Sequence, residues 1–264
     1  MPKVISQDGT SIAFDRVGSG PAVILVDGAF CYRGFGPAGP LARLLKQNFT
    51  VYTYDRRGRG NSNDTPPYAV EREIEDIDAL IKEAGGSAYV YGISSGAVLS
   101  LEAAARCKGI AKLALYEPPF IIDNGHAPLP DNYLQQLNGL TASNRRNDAV
   151  RLFLKTMDTP EFAIIIMGLT PSWRKLREAA HTLPYDITIV KDYQRGSPLT
   201  TQQWNSIKIP VMFLAGEKGP PWMQRSMNAL ANIFPEALHR TLKGQGHDVK
   251  PEVLAPVLIE FFKI

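Results

Sequence analysis

The feature that most constrains this chain is a glycine-flanked serine placed between a strand and a helix. Ala88–Tyr91 are apolar or aromatic, which favours a short buried strand, and Ser95–Arg106 is rich in alanine and leucine, which favours a helix. Between them lies Gly92-Ile93-Ser94-Ser95-Gly96, a G-x-S-x-G pentapeptide. A sharp turn at such a pentapeptide lifts the central serine clear of the sheet edge, and its neighbours must be small because strand and helix pass close together.

Ser94 is therefore the predicted nucleophile, and the backbone N–H of Ser95, at the helix N-terminus, is predicted to face a developing oxyanion. The same residues also suit an ordinary glycine-rich turn in which Ser94 only caps the helix. The strand before the pentapeptide, the helix after it and a histidine late in the chain favour the nucleophile.

Apolar runs and helical patterns alternate along most of the chain. Runs typical of strands occur at residues 22–26, 50–54, 88–91, 111–116, 211–215 and 237–242. Helical patterns occur at residues 41–46, 70–84, 95–106, 222–233 and 251–262. Two short segments on either side of Asp8-Gly9-Thr10 predict an N-terminal hairpin. Together these patterns predict an α/β fold whose sheet is mostly parallel and carries helices on both faces.

The alternation stops between about Pro118 and Ser206, where helical patterns replace strand patterns. They cover residues 132–140, 147–157, 161–169 and 172–181, and they are separated by Pro130, Pro160, Pro171 and Pro184. We interpret this segment as a helical insertion over the carboxyl edge of the sheet, where open α/β sheets bind ligands. The predicted domains are a core of residues 1–117 and 207–264 and a helical cap of residues 118–206.

Composition excludes several classes of protein. The chain has 264 residues, of which 44% are hydrophobic and 21% charged, and this balance favours a large globular α/β domain over a disordered chain. A net charge of +3 is too small to indicate nucleic acid or a membrane surface as a partner. The two cysteines form neither a disulfide framework nor a zinc pattern, and the first residues carry no apolar signal segment. We therefore expect a cytoplasmic protein.

A serine hydroxyl needs a neighbouring base, and the chain has four histidines that could supply one. His247 lies in the glycine-rich loop 244–248, between the last strand and the last helix, from where its ring can reach the serine. His239 lies inside a strand pattern and is interpreted as a surface residue. His126 and His181 fall in the predicted cap and are interpreted as solvated loop residues, with a contact to substrate as the alternative. His247 is the predicted base.

These residues resemble the α/β-hydrolase superfamily over nearly the whole chain. The resemblance rests on the G-x-S-x-G pentapeptide, on the order nucleophile, acid, histidine, and on residues 55–62, which look like the superfamily's D-x-R-G-x-G-x-S loop. That loop is mainly structural in the superfamily. The resemblance implies an eight-stranded sheet with a cap and the hydrolysis of ester-like bonds.

The acid that orients the histidine is the point where this chain departs from many superfamily members. They carry an aspartate in a G-x-x-D segment after the seventh strand, but here Gly216-Glu217-Lys218 is followed by Gly219. Other members, lactone hydrolases among them, place the acid after the sixth strand, and Glu117 stands at that place. Glu117 is the predicted acid, and Glu217 is the alternative.

The second oxyanion donor is expected from the loop after the third strand. Many members show His-Gly-x there, whereas this chain has Asp27-Gly28-Ala29. The N–H of Ala29 is the predicted donor, with that of Gly28 as the alternative, and the Asp27 side chain is expected to be turned away and paired. Cys31 is expected to fill a small buried apolar space, with a place in the pocket wall as the alternative. Ile93, where members often have a histidine, is expected to shape the pocket floor.

The sequence therefore predicts a serine hydrolase, either a carboxylesterase or a lactonase, that forms an acyl-enzyme and needs no metal or organic cofactor. The predicted partner is a small molecule with an apolar body and one ester or lactone carbonyl, because the cap is strongly apolar. These apolar residues, some expected to face the cleft and the rest to pack within the cap, are Phe120, Ile121, Ile122, Phe162, Ile165, Ile166, Met167, Leu169 and Trp173.

Two other uses of the same fold are alternatives to hydrolysis. A ligand-binding protein or a lyase is the alternative, and the missing aspartate after the seventh strand is the feature that favours it. A haloalkane dehalogenase or an epoxide hydrolase needs an aspartate nucleophile, and Ser94 stands in its place. The sequence leaves the oligomeric state open.

Overall fold

The computed structural model describes residues 1–200 and 202–263. The strands are β1 Lys3–Ile5, β2 Ser11–Val17, β3 Ala22–Val26, β4 Thr50–Tyr54, β5 Ala88–Ile93, β6 Ile110–Tyr116, β7 Val211–Gly216 and β8 Leu238–Leu242. The helices are α1 Ala38–Leu45, α2 Val70–Glu83, α3 Ser95–Arg106, α4 Tyr133–Ala142, α5 Arg146–Thr156, α6 Glu161–Gly168, α7 Pro171–Ala179, α8 Leu183–Val190, α9 Pro221–Ile233 and α10 Pro251–Lys263.

The eight strands form one sheet in the order β1-β2-β4-β3-β5-β6-β7-β8. Strand β2 runs antiparallel to β1 and to β4, and every other neighbouring pair is parallel. The central strands β3 and β5 are almost wholly buried, which explains their continuous apolar sequences. The predicted α/β fold with a mostly parallel, eight-stranded sheet is confirmed, and the carboxyl ends of β3, β5, β6 and β7 meet at one edge.

Apolar side chains cover both faces of the sheet. Helices α1 and α10 pack on one face, where Leu45 and Leu258 are fully buried. Helices α2, α3 and α9 contribute to the core on the other face, where Ile77, Leu101 and Leu230 are fully buried. Each of these helices therefore buries its apolar side chains against one face of the sheet. In the described part of the chain, no helix combines the length and the apolar character needed to cross a membrane.

Helices α4 to α8 lie between β6 and β7, within the segment of residues 118–206 that we call the insertion. The sequence predicts four of them but misses α8. Its second half is rich in β-branched residues, which lower helix propensity, and Pro184 resembles a stop signal. Pro184 instead occupies the first turn of α8, where proline is tolerated because that N–H needs no partner. The division between core and cap stays a prediction.

Two glycines allow the start of α3 to pack closely against β5 and against the end of β3 around Ser94. A Cβ at Gly92 would lie 2.5 Å from the carbonyl oxygen of Gly96, and a Cβ at Gly96 would lie 2.5 Å from that of Asp27. Real Cβ atoms do not come this close to backbone oxygens. Any side chain at either position therefore has to displace the backbone that carries the serine.

Replacing Gly96 by alanine is expected to lower the free energy of unfolding by about 2 kcal/mol or more, because the added methyl group overpacks the corner. The matched control is Gly139→Ala on α4, where a Cβ meets nothing within 4 Å. That change is expected to stabilise the protein by roughly 0.5–1 kcal/mol through helix propensity. Urea denaturation of the two variants measures the difference, and equal stabilities would contradict the packing argument.

Candidate active site

Ser94 lies at a strained corner between β5 and α3. Its backbone has φ 57° and ψ −128°, and such a conformation costs a non-glycine residue about 1–3 kcal/mol. The Ser94 N–H donates to the carbonyl oxygen of Tyr116 at 3.0 Å, so β6 holds the corner in place. Ser95 is the first residue of α3, and its N–H therefore has no helical partner and lies at the positive end of the helix dipole.

Glu117 and His247 meet at the carboxyl edge of the sheet. The His247 ring atom Nδ1 lies 2.8 Å from Glu117 Oε2, and Glu117 Oε1 accepts a hydrogen bond from the Gly216 N–H at 2.7 Å. Glu117 is only 1% exposed and takes a φ of 45°. Its carboxylate therefore has a fixed direction, and because it engages Nδ1 it leaves Nε2 of the ring for another partner.

The side chain of Glu217, the alternative acid, is bonded to the backbone of Gly244, whereas Glu117 is bonded to His247. Glu217 Oε2 accepts a hydrogen bond from the Gly244 N–H at 2.8 Å, and its side chain is exposed. At Gly219, where many superfamily members carry their aspartate, a Cβ would lie 2.7 Å from Glu117 Oε1. The missing side chain at position 219 therefore makes room for the carboxylate of Glu117.

The loop that carries His247 is fixed on both sides of the ring. The Tyr116 hydroxyl donates to the carbonyl oxygen of Gly246 at 2.5 Å. The Lys218 N–H donates to the carbonyl oxygen of Gln245 at 2.8 Å, and the Gln245 side chain accepts from the Lys250 N–H at 3.0 Å. The histidine is therefore held by β6, by the segment after β7 and by the start of α10.

Gly28 and Ala29 follow β3 and lie beside the serine. A Cβ at Gly28 would lie 3.0 Å from Ser94 Cβ and 3.5 Å from Ser94 Oγ, so this position has little room for a side chain. Within the described residues, the N–H groups of Ala29 and Ser95 donate to no protein acceptor. Both predicted oxyanion donors are thus available next to Ser94.

A buried cluster of charges, which the sequence analysis missed, lies behind this loop. Arg56 forms two hydrogen bonds of 2.7 Å with Glu73, and its Nη1 lies 2.8 Å from Asp186 Oδ1. Arg59 Nη2 lies 2.5 Å from Asp186 Oδ2, and Arg59 Nη1 donates to the carbonyl oxygen of Gly28 at 2.7 Å. One signal was present in the sequence: Asp186 is the only charged residue in LPYDITIV, and a carboxylate in an apolar helix is buried only when it is paired.

An open cleft of about 1000 Å³ lies over Ser94 and His247. Cys31 and Ile93 line it, so the structure places Ile93 as expected and gives Cys31 the alternative position in the pocket wall. Its apolar walls come from α5, α6 and α9 and include Phe153, Leu154, Met157, Met167, Trp222 and Met223. A much smaller recess of about 30 Å³ also opens on Ser94 and extends between the core and α8. In residues 1–200 and 202–263, no three His, Cys, Asp or Glu side chains are grouped as metal ligands.

The interpretation of His126 and His181 as solvated loop residues is wrong. His126 Nε2 lies 2.9 Å from Asp158 Oδ2, its ring packs against Trp222 at 4.8 Å, and it lines the small recess. His181 is partly buried, and its Nε2 hydrogen-bonds the carbonyl oxygen of Gly58 at 2.7 Å. Both rings have partners supplied by segments far away in the sequence.

The expected burial of the apolar residues of the insertion is also wrong in part. Ile121 and Met167 line the recess and the cleft. Helix α6 is apolar around its whole circumference, and only one side of it can pack, with Ile164 facing inward at 3% exposure. Three of its other large side chains and the residue that follows it are 59–86% exposed, namely Phe162, Ile165, Ile166 and Leu169.

The Asp27 side chain is buried and paired, as expected. Burial raises the pKa of this carboxyl group to about 7, although a hydrogen bond from the Ala38 backbone and the charges of Arg59 and Arg56 lower it. Near neutral pH the group therefore carries only part of a negative charge.

Comparison with known proteins identifies relatives over most of the chain. The model of the alpha/beta hydrolase family matches residues 20–257. The crystal structure of an alpha/beta hydrolase from Sphaerobacter thermophilus DSM 20745 is 46% identical, with a TM-score of 0.92 and coverage of 99% of this chain and 100% of that one. The uncharacterized hydrolase YraK of Bacillus subtilis (strain 168) is 29% identical over 195 residues, which are 70% of this chain and 67% of that protein. The pimeloyl-[acyl-carrier protein] methyl ester esterase of Xanthomonas axonopodis pv. citri (strain 306) is 26% identical over 247 residues, or 88% of this chain and 90% of that one.

The variant Asp27→Asn is expected to gain stability over the wild type as the pH rises. Because the folded-state pKa of about 7 lies above the ordinary aspartate value of 3.8, the stabilising contribution of Asp27 is complete below pH 3.8 and is lost as the pH rises through 7. Asparagine is neutral at every pH and keeps an oxygen for the Ala38 bond. The difference in unfolding free energy between variant and wild type should grow by about 2 kcal/mol from pH 5 to pH 8 in urea denaturation. A difference that stays constant would contradict the raised pKa.

Proposed function

Because the chain belongs to the alpha/beta hydrolase family, we propose that it is a serine hydrolase that cleaves a carboxylic ester or a lactone of a small, largely apolar substrate. The observation that carries the proposal is the 2.8 Å hydrogen bond between His247 Nδ1 and the buried Glu117, at the cleft that Ser94 lines. A carboxylate on Nδ1 fixes the ring tautomer in which Nε2 is free to accept a proton.

The proposed reaction passes through an acyl-enzyme. His247 Nε2 takes the proton of Ser94 Oγ as the oxygen attacks the substrate carbonyl, and Glu117 stabilises the imidazolium that forms. The N–H groups of Ala29 and Ser95 donate to the oxyanion of the tetrahedral intermediate. The imidazolium then protonates the leaving alcohol, and a water molecule, deprotonated by the same ring, releases the acid.

The shape and chemistry of the cleft support the proposed substrate class. Its walls are mainly apolar, and the small recess at Ser94 has room for little more than one water-sized group. An ester or lactone with one compact part and one larger apolar part fits this pair of spaces. The methyl ester esterase among the relatives, named for an ester of a small alcohol, is consistent with such a division.

The structure weakens the case for a non-hydrolytic protein. That alternative rested on the missing aspartate after the seventh strand. Gly219, at that position, leaves space for the Glu117 carboxylate, and Glu117 contacts the histidine. The position of the acid differs, but the hydrogen bond between Glu117 and His247 supports Glu117 in the role that the proposed mechanism requires.

The variant Ser94→Ala is expected to lose turnover of 4-nitrophenyl acetate, with kcat falling by about a thousandfold or more. It should also lose covalent labelling by a fluorophosphonate, which reacts with activated serines. The matched control is Ser100→Ala on α3, whose hydroxyl donates within the helix to the Gly96 carbonyl oxygen and does not line the cleft. Labelling of Ser94→Ala at the wild-type level would refute the proposed nucleophile.

The two candidate acids can be separated by a pair of isosteric variants. Glu117→Gln is expected to lower kcat by about a hundredfold or more, because an amide cannot stabilise the imidazolium and favours the wrong ring tautomer. Glu217→Gln should stay within about twofold of the wild type, since an amide oxygen can still accept from the Gly244 N–H. Steady-state kinetics on the same ester measure both, and the reverse order of effects would assign the role to Glu217.

A further inference from the structure

We propose that Asp186, on helix α8 of the insertion, is a positioning residue that sets the direction of both oxyanion donors. The inference rests on the proposed serine mechanism. Asp186 does not line the large cleft and borders only the small recess at Ser94, and its two carboxylate oxygens are bonded to the Ser95 hydroxyl and to Arg59. One oxygen acts directly on Ser95, and the other acts on the Gly28–Ala29 peptide through Arg59.

The first link runs from Asp186 to Ser95. The Ser95 hydroxyl donates to Asp186 Oδ1 at 2.7 Å. Ser95 begins α3 and directly follows the strained Ser94, so its backbone orientation decides where its free N–H points. A hydroxyl anchored to a buried carboxylate fixes that first residue, and its oxygen also accepts a hydrogen bond from Arg56 Nη1 at 3.5 Å.

The second link runs through Arg59 to the loop after β3. Arg59 Nη2 donates to Asp186 Oδ2 at 2.5 Å, while Arg59 Nη1 donates to the carbonyl oxygens of Gly28 at 2.7 Å and of Cys31 at 3.2 Å. In a trans peptide the C=O and the N–H point in opposite directions. Because the guanidinium holds the Gly28 oxygen on its own side, the Ala29 N–H has to point away from it, and Ala29 borders the cleft beside Ser94.

The charge on Asp186 makes these bonds strong. Burial favours the neutral acid, but Arg59, Arg56 and the Ser95 hydroxyl outweigh it and hold the pKa of Asp186 below its usual value. Hydrogen bonds to an ionised acceptor are about twice as strong as neutral ones. An asparagine at this position keeps the volume but offers one oxygen for three donors and turns an N–H₂ group toward one of them. Either Arg59 or Ser95 then loses its anchor.

The test compares an ester with its thionoester, in which sulfur replaces the carbonyl oxygen. An oxyanion hole aligned for oxygen favours the ester, and because both rates scale with the amount of folded enzyme, their ratio reports alignment alone. In Asp186→Asn we expect kcat for 4-nitrophenyl acetate to fall by about tenfold or more, KM to change by less than about twofold, and the ester-to-thionoester ratio of kcat/KM to fall by about tenfold.

The matched control is Asp76→Asn. Asp76 is as buried as Asp186 and also pairs with an arginine, through bonds of 2.9 and 2.7 Å to Arg57, but these bonds do not reach the oxyanion loop. The Asp76→Asn variant should have a lower free energy of unfolding and an unchanged ester-to-thionoester ratio. Arg59→Lys keeps the buried positive charge but removes the two guanidinium nitrogens that join Asp186 to the Gly28 carbonyl oxygen. The ester-to-thionoester ratio of this variant should therefore fall as well. If Asp186→Asn fails to fold, Arg59→Lys decides the question by the same ratio.

The possible results are separable. If the folded variants Asp186→Asn and Arg59→Lys keep the wild-type ester-to-thionoester ratio, the positioning role is overturned. The proposal that the protein is a serine hydrolase would then still stand. An equal fall in Asp76→Asn would overturn the positioning role too, because the effect would then belong to any buried ion pair. Wild-type enzyme that hydrolyses no ester or lactone would instead refute the proposed function itself, together with any role that depends on it.

Discussion

The carboxylate of Asp186, shared between two fully buried guanidinium groups, is the interaction on which the arrangement of this site depends. Taking such charges out of water is costly, and each is compensated by buried partners, Arg56 by Glu73 as well as by Asp186. Arg56 and Arg59 lie between β4 and α2, whereas Asp186 belongs to the insertion. The cluster therefore fixes the position of α8 on the sheet edge, and with it one wall of the recess beside Ser94.

The chemistry of the site depends on backbone geometry more than on reactive side chains. Two of its residues, Ser94 and Glu117, take positive φ values without being glycine. Each such conformation costs free energy and persists only where the surroundings enforce it. Here the neighbouring strands hold these conformations in place. A carbonyl oxygen of β6 accepts a hydrogen bond from the Ser94 N–H, and a carbonyl oxygen of β7 accepts one from the Glu117 N–H at 3.0 Å. A backbone N–H of β7 also donates to the Glu117 side chain. A parallel sheet is well suited to this, since its carboxyl ends lie side by side.

The sequence predicts those parts of the protein that depend on local pattern. The strands, most helices and the glycine-flanked corner follow from periodicity and residue size, and the order of serine and histidine follows from a family resemblance. It does not predict α8, whose β-branched residues oppose a helix that packing stabilises. Nor does it predict the partners of Asp186, which are 130 and 127 residues away. The exposure of α6 was missed for a related reason, because an evenly apolar helix carries no information about which side is covered.

The close approach of Gly219 to the Glu117 carboxylate restricts how this lineage of enzymes can change. Moving the acid from the end of β6 to the end of β7 takes two substitutions. A chain that gains the new aspartate first has two carboxylates competing for one buried space, and a chain that loses Glu117 first has none. Under the proposed mechanism we expect either intermediate to be impaired, so the two placements of the acid should behave as separate evolutionary states with a fitness valley between them. Lineages on either side should keep their own arrangement through long divergence.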